Sequence, residues 1–353
     1  MAEALAGQVD SLTMLTGGGL LSSQSSTVDL AEWYGTRHYF HIVRLPVHWR
    51  LDEPFFAGYR YPRFDRAAAL YSRLKSPALV FTRSPYAGYL CVRLRLSTII
   101  ETHMETDHPE FQRVIAACRM PRLRGVVTIT DYLKNAYIKA GVPESKMLVW
   151  PDAVDLSGFT DLPPHQMLRD ELGLPSATRI ATYCGHFYEH KGVSHVIAAA
   201  KYLPDILFCL VGGWPRDIEL CQKQAKGLNN VHFTGFVSYR KIPKYLLSSD
   251  FLLLPNSMQY KQAYSTSPLK LFEYMAARRP IIASNIPAFQ GLLRHRENAY
   301  LIESDSAAAI ASAIQVLAED LDLSARIVEQ AWEDVQQFTW ARRAKDILSY
   351  FLD

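Results

Sequence analysis

From about residue 77 onward, short apolar runs alternate with stretches of helix length whose apolar residues recur every three or four positions, the pattern of parallel βα units rather than of hairpins. The runs at 78–82, 98–101, 126–130, 180–184, 206–211, 231–234, 251–254, 280–284 and 299–302 read as strands. The helices between them carry their own punctuation. Asp131 precedes one that Gly141 ends, Pro215 suits a first turn, and Ser238 and Ser267 stand where N-caps belong. Ala307, Ile310, Ile314 and Leu317 share one helical face. The pattern breaks at 151–164 (PDAVDLSGFTDLPP), where proline, glycine and aspartate cluster between two βα series. This predicts a first domain over 1–155 and a second over 165–338. The last helix, 340–353, with Trp340, Ile347, Leu348 and Phe351 to bury, is expected to pack back on the first.

Length agrees with two domains, because 353 residues exceed what one hydrophobic core usually supports. A hydrophobic fraction of 49% and a charged fraction of 21% describe an ordinary folded protein. The net charge of +3 suits an anionic small molecule and is weak support for nucleic acid, which is not an expected partner. Cys91, Cys118, Cys184, Cys209 and Cys221 are odd in number, widely spaced and mostly in apolar runs, so neither a disulfide framework nor a zinc site is expected. With no export leader and no apolar stretch of about 18 residues, a cytoplasmic setting follows. Arg119, Arg122, Arg124, Lys134 and Lys139 read as a solvated basic face; the alternative is peripheral contact with the anionic inner face of a membrane.

The richest segment runs from Ser265 to Glu273 (STSPLKLFE). Ser267 caps a helix that Pro268 begins, and the free N–H groups of the first turn, at Leu269 and Lys270, face whatever anion sits above them. Hydroxyls of Ser265, Thr266 and Ser267 and the Lys270 ammonium would add to that cradle. Glu273, a turn and a half further in, would repel phosphate but accept hydrogen bonds from ribose hydroxyls. A capped helix with a solvated lysine and glutamate is the plain structural alternative. Upstream, residues 183–192 (YCGHFYEHKG) leave a strand through Gly185 and end in Lys191-Gly192 at a helix start. Leu210-Val-Gly-Gly-Trp-Pro215 and Val231-His-Phe-Thr-Gly-Phe-Val237 leave strands on the same edge of a parallel sheet, where ligands of open α/β folds collect.

In this order the motifs resemble the C-terminal domain of retaining GT-B glycosyltransferases, the family of bacterial mannosyltransferases and of sucrose- and glycogen-synthase relatives. The resemblance is close from residue 180 onward and looser before it. It implies an α/β fold of two Rossmann-like, doubly wound parallel-sheet domains facing across a cleft. It also implies that Lys191 meets the donor diphosphate beside Gly185 and His186, that Glu273 holds the ribose, that Ser267, Pro268, Leu269 and Lys270 receive phosphate oxygens, and that Phe236 and Val237 line the base pocket. Thr98-Ile-Ile-Glu-Thr-His103 resembles the strand-end histidine that the family sets beside the reacting sugar, and residues 150–155 (WPDAVD) its Asn-Gly-Val-Asp turn.

Three departures accompany the match. Ser265 stands where the family has a first glutamate, seven residues intervening before the second, and His186 stands where an arginine usually pairs with the lysine. The opening strand and its glycine-rich loop are not evident: the chain starts at what resembles the following helix, 2–7, then a strand at 11–16. Gly17-Gly18-Gly19 is read as a flexible turn. The resemblance implies transfer of a sugar from a UDP-, GDP- or ADP-sugar to a saccharide or lipid-linked acceptor with retention, needing no metal and no cofactor beyond the donor. An epimerase or phosphorylase of the same build, or a non-catalytic sugar-nucleotide-binding protein, stays open.

Overall fold

The computed structural model describes residues 1–18, 40–46, 62–160 and 163–352. The chain divides into two compact units, one made of Met1–Pro151 with Trp340–Asp353 and the other of Asp152–Thr339.

The first unit holds a four-stranded parallel sheet in the order β3-β4-β5-β6: β3 (Val80–Thr82), β4 (Thr98–Thr102), β5 (Leu123–Thr128) and β6 (Met147–Val149). All five residues of β4 are buried, as strands covered on both faces require. Helices Pro85–Arg93, Pro109–Cys118 and Asp131–Lys139 connect the strands. Ser84, His108 and Thr130 cap them through side-chain acceptors, so the cap of the third is Thr130 and Asp131 is its first residue. A separate parallel pair joins β1 (Thr13–Gly18) to β2 (His41–Pro46). Gly17 and Gly18 lie in β1, opposite Leu45 and Pro46, which corrects the turn expected there; Gly19 lies outside the described residues. The terminal helix Trp340–Leu352 packs in this unit, and Gly125 of β5 makes room for its Phe351, since a Cβ at 125 would fall inside the phenyl ring.

The second unit is a six-stranded, all-parallel sheet in the order β12-β11-β10-β7-β8-β9. Its strands are β7 (Arg179–Cys184), β8 (Ile206–Val211), β9 (Val231–Gly235), β10 (Phe251–Leu254), β11 (Ile281–Ser284) and β12 (Tyr300–Ile302). Alternate side chains feed two cores. Ile180, Cys184, Leu252 and Leu254 meet Leu271, Met275 and Val335 on one face, while Ala181, Tyr183, Phe208 and Leu253 meet Val196, Ile197, Ile310 and Ile314 on the other. Strand order reverses beside β7, the switch point at which open α/β sheets leave a crevice beyond the strand ends.

Candidate functional site

At that edge β7 runs out through Gly185, whose φ of 137° favours glycine and whose missing side chain leaves space for a neighbour: a Cβ there would lie 2.8 Å from Lys270 Nζ. The Gly185 N–H donates to Val211 O (2.8 Å) and its carbonyl accepts from Gly213 N–H (3.1 Å), tying the exits of β7 and β8 together. Gly192, at φ 71°, packs so tightly on the Pro255 carbonyl that no side chain fits, and this fixes the one-turn 3-10 segment Glu189–Lys191 that carries Lys191.

Lys270 reaches the same place from the helix Leu269–Ala276. Its Nζ lies 3.9 Å from the centre of the Tyr183 ring, is buried, and has no hydrogen-bond partner among the described residues. Burial, and then the charge of Lys191, hold the Lys270 ammonium well below the usual lysine range; burial does the same, in lesser degree, to Lys191. An ammonium left without an acceptor in such a position is costly, and an anion would relieve that cost. Ser267 does not cap this helix, which starts one residue later with Pro268 in the N-cap position and no side-chain cap. The Ser267 hydroxyl instead accepts from Asp152 N–H at 2.9 Å. The first-turn N–H groups at Leu269 and Lys270 have no acceptor within their own helix.

Glu273 is buried at 8% exposure. Burial pushes its carboxyl up to about 7, against the opposing pull of a Tyr239 hydrogen bond and of Lys270. Tyr239 follows Phe236 and Val237 on the exit from β9. Phe236 is 58% exposed and stacks on Trp214 at 6.4 Å between centroids, whereas Val237 packs against the core. The stack continues from Trp214 to His186 (5.6 Å), Tyr188 (5.1 Å) and His190 (5.6 Å). Burial and the charges of Lys270 and Lys191 lower His186. Burial, Lys191 and Lys270 push His190 down to about 4, so both rings are neutral stacking surfaces at neutral pH.

The second unit therefore gathers Gly185, His186, Lys191, Lys270 and Glu273 at one sheet edge, with Phe236 on the adjoining loop. His103 lies in the first unit, just past the end of β4. Its Nε2 is 3.1 Å from Glu101 Oε1, and Arg83 Nη2 is 3.3 Å from each ring nitrogen. Burial alone would raise the Glu101 carboxyl; the His103 hydrogen bond and the charges of Arg343 and Arg83 outweigh it and hold it at about 2. Tyr183, Tyr239, Glu101 and Arg343 were not singled out from sequence. Tyr183 and Glu101 sit inside strand runs, where they look like filler, and Arg343 comes 242 residues after the carboxylate it meets.

The second unit, a doubly wound parallel sheet whose strand ends bring a buried cation to the first turn of a helix, is of the Rossmann-like class. Residues 165–334 match the model of the family Glycosyl transferases group 1. The chain is similar to the phosphatidyl-myo-inositol mannosyltransferase of Mycolicibacterium smegmatis, 27% identical over 235 residues that make up 65% of this chain and 57% of that protein. The chain spans about half the length of the curated relatives it matches. Its fold is that of two-domain GT-B proteins. The sucrose-phosphate synthase of Thermosynechococcus elongatus superposes with a TM-score of 0.78 at 22% identity, covering 99% of this chain and 90% of that one. Alr3699/HepE of Anabaena, solved in complex with UDP, superposes with a TM-score of 0.73 at 17% identity, covering 91% and 88%.

Proposed function

We propose that this protein is a glycosyltransferase that binds a nucleoside-diphosphate sugar at the strand-end edge of its second unit and passes the sugar to a saccharide or lipid-linked acceptor. The observation that carries the reading is the buried ammonium of Lys270, which has no hydrogen-bond partner among the described residues and lies on the Tyr183 ring beside the first turn of its own helix. A diphosphate supplies what this arrangement lacks: acceptor oxygens for the ammonium and the N–H groups, and negative charge for Lys191. Fixed donors aimed at the leaving diphosphate, where charge grows during transfer, are the main electrostatic means of catalysis available here. Glu273 takes the ribose hydroxyls, Phe236 and Val237 the base, and His103 the reacting region on the acceptor side. In this reading the anomeric configuration is retained, no metal takes part, and the reaction runs in the cytoplasm. Binding of UDP by the Anabaena neighbour supports a uridine donor as the first to try.

The test is a thermal-shift screen with UDP-, GDP- and ADP-sugars on the wild type and on Lys270→Met. One donor is expected to stabilise the wild type by about 2.7 kcal/mol at 100 times its dissociation constant, and the same concentration to stabilise Lys270→Met by about 1.4 kcal/mol or less. Equal stabilisation of both proteins would overturn the site assignment. Ser265 and His186, which replace a glutamate and an arginine of the family, favour a second reading in which the nucleotide is bound without turnover. Release of free UDP only when an acceptor is supplied would dispose of that reading.

A further inference from the structure

Glu101 and His103 are two residues apart along β4 and its exit, so their side chains leave the chain on the same face. The carboxylate divides its two oxygens. Oε1 faces His103 Nε2 at 3.1 Å, with Arg83 Nε at 3.2 Å, and Oε2 accepts from Arg343 Nη1 at 2.8 Å. The Glu101 side chain is 2% exposed and that of Arg343 0%. Arg343 is itself held, donating from Nε to Pro151 O (2.9 Å) and from Nη2 to Trp150 O (3.3 Å). The carboxylate is thus pinned from behind by the terminal helix and cannot turn away from the imidazole.

An ionised carboxylate only accepts, so the ring nitrogen that faces it must carry the hydrogen. In the neutral imidazole Nδ1 then keeps its lone pair. Arg83 does not bear on that choice: its Nη2 lies 3.3 Å from both ring nitrogens, over the face of the ring and in line with neither lone pair. A carboxylate present only to bury Arg343 would need no imidazole at its other oxygen, on a side chain that is 27% exposed. We infer that Glu101 is a positioning residue that fixes His103 as the Nε2–H tautomer with Nδ1 as the acceptor, and that Arg343 of the terminal helix holds Glu101 in that pose. The inference rests on the placement of His103 beside the reacting sugar.

The experiment is Glu101→Gln, read first by nitrogen-15 NMR of the His103 ring in the protein without substrate and then by steady-state kinetics. The wild type is expected to show Nε2–H. In E101Q the amide oxygen stays with Arg343 and its NH2 turns to the ring, so the population moves toward Nδ1–H. Turnover is expected to fall roughly 10–100-fold, as when a partner orienting a functional histidine is lost, with KM for the donor unchanged. An Nδ1–H wild type, or the same tautomer in both proteins, would overturn the inference. If E101Q does not fold, Glu101→Asp keeps the charge while drawing the carboxylate back from the ring, and the same change of tautomer population is expected. If the tautomer responds but the wild type transfers no sugar to any acceptor, the positioning stands and the proposed function falls.

Discussion

Lys270 sets stability against binding. Its ammonium is buried without an acceptor, a condition that costs the empty protein roughly 1–3 kcal/mol or more. Lys270→Met keeps the length and the contact with Tyr183 and removes the charge. It is expected to raise the denaturation temperature of the nucleotide-free protein while weakening nucleotide affinity at least about 10-fold, a drop of about 1.4 kcal/mol that calorimetry resolves. Glu273 gives a second outcome, in pH. Its folded-state value of about 7 lies above the ordinary 4.5, so the folded form holds its proton longer than the unfolded chain. The stability this contributes is full below about pH 4.5 and is lost as pH rises through 7, on the order of 3 kcal/mol once the group is ionised. Denaturant titrations across that range should slope downward for the wild type and flatten for Glu273→Gln; parallel slopes would refute the assignment. The identity of both residues was legible in the sequence as part of a helix start, but their burial was not. It depends on Tyr183, inside β7, and on Tyr239, beyond the end of β9.

Among elements, legibility follows burial on two faces. The strands β7, β8, β10 and β11 are buried over nearly all their length and stand out as apolar runs, unbroken in β8 and β10 and interrupted by Thr182 in β7, which is why pattern alone located them. β6 has three residues and merges into Trp150-Pro151, and β2 interleaves His41 and Arg44 with its apolar positions, so nothing periodic marked either; β1 overlaps the strand expected at 11–16, and only its end, written in glycine, was hidden. Among the residues that hold the terminal helix within the first unit are a charge, Arg343, and a ring, Phe351. Replacing Arg343 with Met leaves the Glu101 carboxylate buried with less compensation and is expected to cost about 3–5 kcal/mol. Gly125→Ala pushes a methyl into the Phe351 ring and is expected to cost about 1–3 kcal/mol. The loss should shrink in Gly125→Ala/Phe351→Leu, where the smaller side chain yields; equal losses in urea would show that Phe351 is not what fills the space.

At the scale of the whole molecule, the proposed donor contacts at Gly185, Lys191, Phe236, Lys270 and Glu273 all come from one unit, Asp152–Thr339, and none from Met1–Pro151 or the terminal helix. A ligand stabilises what it binds in the folded form, by an amount set by its concentration relative to its dissociation constant. Nucleotide should therefore act on the second unit's unfolding and leave the first unit's reporters where they are. Hydrogen exchange reads this directly. With UDP or the preferred nucleoside diphosphate at saturation, amides of β7, β8 and the helix Leu269–Ala276 are expected to exchange more slowly, by about 100-fold at 100 times the dissociation constant where exchange needs the unit to unfold. Amides of β4, β5 and the helix Trp340–Leu352 are expected to keep their rates. Arg343→Met should give the reverse pattern, faster exchange around β4 with unchanged nucleotide protection of β7. Slowing of both units together by nucleotide alone would mean that they unfold as one cooperative body, and the stability costs assigned here to single units would then have to be read as costs to the whole chain.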